Sequence, residues 1–132
     1  MRTRFVLAGL GASVALTMGA ASGAGADVDT AGAYDDCPSS YICAYSGLNG
    51  TGTMQKWMGN DANWLTGDKK FTGTVKSICN RGTEDPNNLE TVRFYHEADY
   101  VDYYAPAGKG WCGNTQSDGS SVKLRSHKWV KP

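Results

Sequence analysis

The stretch that decides the fold lies at residues 37–47 and has the sequence CPSSYICAYSG. Its centre, residues 41–45, is short, aromatic and β-branched, which is typical of a buried strand. Ser46 and Gly47 follow it, and residues of these types end strands because they favour turns. A second strand is expected at residues 53–58, and the polar sequence GND at residues 59–61 begins the next loop. The opening of the domain is therefore predicted to form two successive strands.

The same pattern continues toward the C-terminus. No window carries apolar residues at the i, i+3, i+4, i+7 spacing of an amphipathic helix. Alternating or β-branched segments instead recur between turn-forming sequences, the most polar of which is TEDPNN at residues 83–88. Further strands are predicted at residues 71–78, 90–95, 99–105, 122–124 and 128–130. The fold class is therefore predicted to be all-β.

A weak internal repeat divides the strands into two units with a spacing of about fifty residues. ICAY at residues 42–45 opens the first unit, and VRFY at residues 92–95 opens the second. GTVKSI at residues 73–78 and GSSVKL at residues 119–124 lie near their ends. A four-stranded unit cannot bury its apolar face alone, so two of them are expected to pack as a sandwich. The two four-stranded repeats are predicted at about residues 41–80 and 91–130.

The N-terminus indicates export from the cell. Arg2 and Arg4 precede a short apolar run, and Ala24-Gly25-Ala26 has the small-x-small pattern that signal peptidase cleaves. The run is shorter than the roughly 20 apolar residues needed to span a bilayer. We therefore expect a secreted, extracellular protein with no membrane association after processing. The predicted segments are a signal peptide at residues 1–26, a flexible lead-in at 27–36 and a single domain at 37–132.

Charge and histidine placement exclude two function classes. Residues 27–132 carry 11 Lys and Arg against 13 Asp and Glu, a net charge of −2 without any basic block. Binding to nucleic acid is therefore not expected. Neither His96 nor His127 belongs to an H-E-x-x-H or G-x-S-x-G motif. His96-Glu97 is interpreted as a surface hairpin tip rather than an acid–base pair, and the protein is predicted not to be an enzyme.

The four cysteines all lie beyond the predicted signal peptide, at Cys37, Cys43, Cys79 and Cys112. An even number in an exported chain indicates two disulfides, because bridges persist in an oxidising compartment. A zinc site is the competing interpretation, but zinc ligands usually come in closely spaced pairs such as C-x₂-C, which are missing here. Four cysteines allow three disulfide pairings.

These residues resemble a known family. The stretch at residues 37–47, Gly52, and the sequence KSICN at residues 76–80 are similar to the actinobacterial secreted peptidase inhibitors, typified by the Streptomyces metalloproteinase inhibitor. The resemblance implies a βγ-crystallin-like double Greek-key β-sandwich. It also implies that the protein is a proteinaceous inhibitor of an extracellular peptidase, and the family's typical member points to a metallopeptidase, so that its partner would be the peptidase itself.

The crystallin signature consists of an aromatic residue, a second aromatic five positions later, and a glycine two positions after that. In the first repeat Tyr45 and Gly52 fit, but Gly50 replaces the second aromatic. In the second repeat Tyr95 and Tyr100 fit, and an aspartate, at position 102, replaces the glycine. The glycine position normally needs a backbone conformation that other residues resist. Each copy of the signature is therefore degenerate at a different place.

The resemblance also defines what this chain lacks. Calcium-binding crystallins begin each binding stretch with two adjacent Asp or Asn residues, whose oxygens suit a hard cation. The corresponding stretches here, residues 72–77 and 116–121, do not begin in this way, so no calcium site and no cofactor are expected. The family's inhibitory loop is closed by a local disulfide, but the matching sequence HEADYV at residues 96–101 contains no cysteine.

The resemblance places an exposed, substrate-like inhibitory loop at Ala98, Asp99, Tyr100 and Val101. Trp64 and Leu65, in a polar loop of the first repeat, form the alternative loop. In this resemblance Cys37 and Cys43 are the opening pair and bracket a tight bend, and the remaining Cys79 and Cys112, far apart in sequence, look like a staple between the repeats. The expected disulfides are accordingly Cys37–Cys43 and Cys79–Cys112.

The aromatic residues leave alternatives open. Four tryptophans and seven tyrosines either fill the core and its corners or form a face that binds a protein or a sugar ring. Tyr100, Tyr103 and Tyr104 are the tyrosines expected near the surface, because consecutive strand residues point to opposite faces. The alternative functions are a carbohydrate or cell-wall binding module and a crystallin-like antimicrobial protein, since fold alone does not determine function. A monomer is expected.

Overall fold

Seven strands form two antiparallel sheets in the computed structural model, which describes residues 33–132. Strands β2-β1-β3-β6 form sheet A, and β5-β4-β7 form sheet B. Short 3₁₀ turns at Leu48–Gly50 and Ala98–Tyr100 follow the first strand of each repeat. The strands are β1 Ile42–Tyr45, β2 Met54–Trp57, β3 Ser77–Asn80, β4 Thr91–Glu97, β5 Val101–Ala107, β6 Cys112–Asn114 and β7 Ser126–Val130.

The two repeats exchange a strand, as a double Greek key requires. Strand β6 of the second repeat pairs with β3 of the first and completes sheet A. In return, Asp61 of the first repeat forms an isolated bridge with His127 in β7, at the edge of sheet B. The prediction of an all-β fold is confirmed. Sheet B, however, has three strands rather than four, because its fourth position is reduced to the single Asp61 bridge.

Some predicted strands differ from the observed ones. In the segment predicted at 71–78, ladder pairing begins only at Ser77, and the observed strand runs on to Asn80. The segment at 122–124 is not a strand, because Val122 forms only an isolated bridge to Val75. Strand β6 was not predicted, since its sequence CGN is short and contains glycine, which weakens strand propensity.

The main core lies between the sheets. Alternation along the strands supplies it, since Val92 and Phe94 of β4 point inward while Arg93 points to solvent. Trp57 and Trp64 stack at its centre with ring centroids 4.4 Å apart. The core consists of Ile42, Ala44, Trp57, Trp64, Phe71, Val75, Ile78, Val92, Phe94, Ala107, Val122 and Leu124.

Both disulfides lie in or beside sheet A and have the expected pairing. Cys37 is joined to Cys43 and Cys79 to Cys112, and Cys43 and Cys79 are register partners on β1 and β3. Cys37, Cys43 and Cys79 share a second buried cluster with Tyr45, and Tyr34 and Cys112 pack against it. This second cluster gives sheet A a covered outer face. The zinc interpretation of the cysteines is excluded.

The predicted lead-in is too long at its C-terminal end. Residues 33–36 form a turn, and the Tyr45 hydroxyl donates a hydrogen bond to Asp36 at 2.8 Å. Arg81 donates to the carbonyl oxygen of Tyr34 at 3.1 Å. Residues 33–36 are therefore part of the domain, since these two hydrogen bonds and an aromatic contact of Tyr34 attach them to it. The predicted signal peptide and residues 27–32 lie outside the described residues, and within residues 33–132 no helix is long and apolar enough to cross a membrane.

Candidate functional site

The predicted inhibitory loop forms a tight corner between β4 and β5. We call residues 98–103 the second corner. Its backbone has positive φ at Asp99 (60°), Tyr100 (62°) and Asp102 (65°). The ring of Tyr100 packs edge-on against Tyr95 with centroids 5.7 Å apart. The corner is therefore folded back on the sheet, and an extended, substrate-like conformation is restricted to Val101 and the strand that follows Asp102.

A buried serine holds this corner from beneath. The Ser126 hydroxyl accepts a hydrogen bond from the Tyr100 amide at 3.1 Å and donates one to the Glu97 carbonyl at 2.6 Å. The Asp99 amide donates to the carbonyl of Ala62 at 2.7 Å. Ser126 itself is fully buried at the base of the corner. The corner is thus fixed to β7 and to the first repeat without a local disulfide.

The first repeat contains an equivalent corner, residues 48–53. Here φ is positive at Asn49 (56°), Gly50 (73°) and Gly52 (80°), the same three places as in the second corner. The buried Ser77 accepts from the Gly50 amide at 2.9 Å and donates to the Gly47 carbonyl at 2.7 Å. The serine pair was missed in the sequence analysis. The sequence feature that could identify this serine pair is its distance from the tyrosine of each repeat: Ser77 follows Tyr45 by 32 positions, and Ser126 follows Tyr95 by 31.

The missing aromatic of the first corner is supplied from outside it. A Cβ at Gly50 would overlap the carbonyl oxygen of Ala33 and approach the Tyr34 ring to 2.7 Å. Tyr34 stands edge-on to Tyr45 with centroids 5.6 Å apart, which matches the Tyr95–Tyr100 pair of the second corner. Tyr34 therefore takes the place of the side chain that Gly50 lacks, and glycine is needed there to admit it.

The two corners differ in what they present to solvent. Residues 51–53 of the first are Thr, Gly and Thr, and all three are exposed. The equivalent residues of the second, Val101, Asp102 and Tyr103, are exposed as well. Val101 is 55% and Tyr103 49% exposed. The same backbone thus carries small polar side chains in one copy and a branched apolar and an aromatic side chain in the other.

The alternative loop is not suited to contact a partner through its tryptophan. Trp64 is fully buried, and its indole nitrogen donates to Nδ1 of His127 at 2.9 Å. Leu65 is 45% exposed. The expectation that both side chains are exposed is wrong for Trp64, because the aromatic core between the sheets encloses it. Polarity of the surrounding sequence gave no sign of this burial.

Neither histidine is placed for acid–base chemistry. Nε2 of His127 lies 2.8 Å from the carbonyl oxygen of Gly59, and since Nδ1 accepts from Trp64, the proton resides on Nε2. Burial lowers the pKa of His127 to about 4, so this imidazole is neutral at neutral pH. His96 Nδ1 contacts the carbonyl of Lys123 at 2.8 Å, while the neighbouring Glu97 pairs with the Lys123 ammonium at 3.2 Å. His96 and Glu97 are therefore not joined as a dyad.

The aromatic residues divide between core and surface. Trp57 and Trp64 are buried, Trp129 packs against the core, and Trp111 is 45% exposed. Tyr104 is half-buried and its hydroxyl donates to the carbonyl of Thr115. Most of the tryptophan surface therefore serves packing rather than a sugar-stacking platform.

The stretches compared with calcium loops contain protein partners for their oxygens. The Arg125 guanidinium donates to the carbonyl oxygens of Gly73 at 3.1 Å and Thr72 at 3.3 Å. In the second stretch, the Asp118 carboxylate accepts from the amide and hydroxyl of Ser120. Hydrogen bonds from Ser120 hold the pKa of Asp118 below its usual value. Residues 33–132 contain no cluster of three His, Cys, Asp or Glu side chains arranged for a metal ion.

A family model described as peptidase inhibitor family I36 matches residues 30–107, which is more than half of the chain. The chain belongs to this family. The matched segment contains both corners and ends with β5. Membership in family I36 confirms the predicted class, a peptidase inhibitor, and the prediction that the protein is not an enzyme.

Two solved structures share the fold of this I36 member. One, from work on the evolution of the eye lens beta-gamma-crystallin domain fold, has a TM-score of 0.55 and 12% identity and covers 73% of this chain and 91% of its own. The other is a transition-metal-ion-binding betagamma-crystallin from Methanosaeta thermophila, with a TM-score of 0.51 and 21% identity over 67% of this chain and 99% of its own. The βγ-crystallin-like fold is thereby confirmed. No curated protein matches the sequence.

Proposed function

We propose that the protein is a secreted inhibitor of an extracellular metallopeptidase and that it contacts the peptidase through the second corner, residues 98–103. The observation that carries the proposal is the difference between the two corners. Val101 and Tyr103 are exposed where the first corner has two threonines. Folding requires the corner itself but not large apolar side chains pointing outward from it. Exposed apolar side chains are typical of binding sites when they are grouped in this way.

The geometry suggests how the corner would dock. Val101 begins β5, and β5 is the outermost strand of sheet B. An edge strand has main-chain groups free to pair with an extended segment of a partner. The branched apolar side chain of Val101 would enter an apolar specificity pocket, while Tyr103 would cover its rim. The metallopeptidase class rests on the resemblance to the Streptomyces metalloproteinase inhibitor and on this apolar side chain.

The rigidity of the folded second corner would take the place of the local disulfide that closes the family's inhibitory loop. Three positive φ values and the two hydrogen bonds of Ser126 fix the corner before it meets a partner. A preorganised loop loses less conformational entropy on binding, at about 0.5–1.5 kcal/mol for each side chain that need not be ordered. The loss of conformational entropy on binding that the missing disulfide would cause is therefore smaller.

Secretion is part of the same proposal. Cleavage after Ala26 would leave Asp27 as the first residue of the mature protein and would retain all four cysteines. Both disulfides suit an oxidising compartment. N-terminal sequencing of secreted protein tests the site. A start before Ala20 or after Gly32 would contradict it.

Inhibition assays on purified residues 27–132 test the proposed activity. We expect inhibition of a thermolysin-like metallopeptidase and little effect on a subtilisin-like serine peptidase. Val101→Gly and Tyr100→Ala should weaken it, whereas Thr51→Gly, at the position of the first corner that matches Val101, should not. Inhibition of the serine peptidase alone would refute the target class. Equal inhibition by the wild type and both second-corner variants would refute the site, and no inhibition of any peptidase would refute the activity.

A further inference from the structure

The outer face of sheet B carries a compact group of tyrosines and cations, which we call the tyrosine face. It consists of Arg93, Tyr95, Tyr100, Tyr103 and Lys128. Tyr95 packs edge-on against both Tyr100 and Tyr103, with centroids 5.7 and 5.8 Å away. Arg93 lies over the Tyr103 ring at 5.4 Å, and Lys128 lies over the Tyr100 ring at 4.9 Å. The rings thus hold both cations flat against the sheet.

The two cations face each other across the ladder. Arg93 on β4 and Lys128 on β7 are direct register partners. Like charges at such positions destabilise a sheet, because their Cβ atoms are about 5 Å apart. In the part of the chain that the structure describes, neither forms an ion pair with a carboxylate, whereas Lys109 pairs with Glu84 and Glu90. The placement of Arg93 opposite Lys128 therefore lowers the stability of the sheet. It occurs even though residues 27–132 contain more acidic than basic residues that could pair with them.

The corresponding face of sheet A is occupied by the protein itself. There Cys37, Cys43, Cys79 and Tyr45 form a cluster against which Tyr34 and Cys112 pack. The tyrosine face has no such cover among residues 33–132, and Tyr103 remains 49% exposed. It is also continuous with the second corner, because Tyr100 and Tyr103 belong to both. A partner bound to the second corner would therefore also lie against the tyrosine face.

We infer that the tyrosine face is a second contact surface for the same peptidase and that it fits an acidic patch beside the peptidase's active-site cleft. The inference rests on the proposed function of the second corner. Carboxylates of the partner would form the direct ion pairs that Arg93 and Lys128 do not make within residues 33–132 and would relieve their mutual repulsion. Tyrosine rings around them would exclude water and strengthen the charge pairs. The face thereby selects, among peptidases with a suitable cleft, those with an acidic surface next to it.

Charge removal with a matched control tests this surface. The variants are Arg93→Gln, Lys128→Gln and the double variant, and the control is Lys56→Gln, whose ammonium lies over the Tyr41 ring on sheet A at 5.4 Å. The peptidase is the one that the wild-type protein inhibits most strongly. For the double variant we expect an inhibition constant raised about tenfold, mainly through slower association, as for other charges at interface rims. Raising the salt concentration should weaken the wild type and leave the double variant nearly unchanged.

Thermal unfolding of the same proteins separates binding from structure. Because relief of the repulsion between Arg93 and Lys128 offsets the loss of their contacts with the Tyr103 and Tyr100 rings, the double variant should unfold at about the same temperature as the wild type. A lower unfolding temperature with weaker inhibition would overturn the inference, since the face would then be structural. Equal weakening by Lys56→Gln, or unchanged inhibition and salt dependence in the double variant, would overturn it while the proposed function stands. A wild-type protein that inhibits no peptidase would overturn both.

Discussion

The two corners of this protein share one backbone design but present different side chains to solvent. Each places three residues at positive φ and anchors the turn on a fully buried serine, Ser77 in one and Ser126 in the other. Each also packs an aromatic ring edge-on against the tyrosine that opens the repeat. In the first corner the ring comes from outside, from Tyr34, and the outward residues are small. The comparison teaches that the backbone scaffold of a corner and its outward side chains are separable.

The corners also differ in the residue that follows the anchoring serine. Ile78 follows Ser77, and His127 follows Ser126; both side chains are buried. Burial keeps His127 neutral, whereas its hydrogen bond to the Gly59 carbonyl and the nearby Asp61 are weaker influences that favour the charged form. The support of the second corner therefore contains a group that acid can charge, whereas the support of the first does not.

Acid should accordingly produce the largest effect. The pKa of His127 is about 4 in the folded protein against 6.5 for an ordinary histidine, so the unfolded chain binds the proton more tightly. The free energy of unfolding should fall by about 3 kcal/mol as the pH is lowered from 6.5 to 4. The contribution is complete above pH 6.5. Denaturant unfolding at several pH values measures it.

His127→Gln provides the matched control for the acid effect. Its carboxamide has an acceptor for the Trp64 indole and a donor for the Gly59 carbonyl, but it does not titrate. Carboxylates contribute equally in both proteins, so the difference between their pH profiles isolates His127. Parallel profiles for the wild type and the variant between pH 6.5 and 4 would contradict the assignment.

Removal of the serines should have the next largest effect. Ser77→Ala and Ser126→Ala each leave one amide and one carbonyl of a corner, which are at least partly buried, without their partner. Each variant should lose about 2 kcal/mol of stability, because an unsatisfied buried group costs about 1–3 kcal/mol. Only Ser126→Ala should also weaken inhibition, since Ser126 positions Tyr100. Equal effects of the two serines on inhibition would break the comparison between the corners.

Tyr34→Ala should have a smaller effect on stability. The variant loses one edge-on aromatic pair, worth about 0.5–1.5 kcal/mol, and part of a half-buried ring. We expect a loss of about 1.5 kcal/mol by denaturant unfolding, with inhibition unchanged. Tyr34→Phe, which keeps the ring, serves as the control and should remain as stable as the wild type. A loss of inhibition in Tyr34→Ala would mean that the first corner also contacts the peptidase.

The sequence sufficed for the fold because the fold depends on local patterns. Alternation at residues 90–95 and the aromatic strand at 41–45 predicted β4 and β1, and cysteine positions with the family resemblance predicted both disulfides. Prediction from the sequence failed for features that depend on contacts between distant parts of the chain. Nothing local distinguishes Val122, which makes one bridge, from a strand residue, and the polar neighbours of Trp64 conceal its place in the core.

The functional site was predicted only in outline. Residues 98–101 were placed by resemblance, and the structure puts them at an exposed corner. Tyr103, one of the two outward side chains there, was predicted only as a surface tyrosine. The register pairing of Arg93 with Lys128 joins strands more than thirty positions apart, and local patterns do not encode such a pairing. Tyr34 was assigned to a flexible segment because its partner, the gap above Gly50, exists only in the folded protein.

An exchange of outward residues between the corners tests the central claim most directly. Val101→Thr/Tyr103→Thr gives the second corner the side chains of the first, and Thr51→Val/Thr53→Tyr makes the reciprocal change. Inhibition constants of both variants should be measured against the most sensitive peptidase. We predict that the first variant loses inhibition on the order of a hundredfold, since central contact residues contribute about 2 kcal/mol or more. The reciprocal variant should inhibit as the wild type does. Full inhibition by the first variant, or its loss in the reciprocal one, would contradict the account.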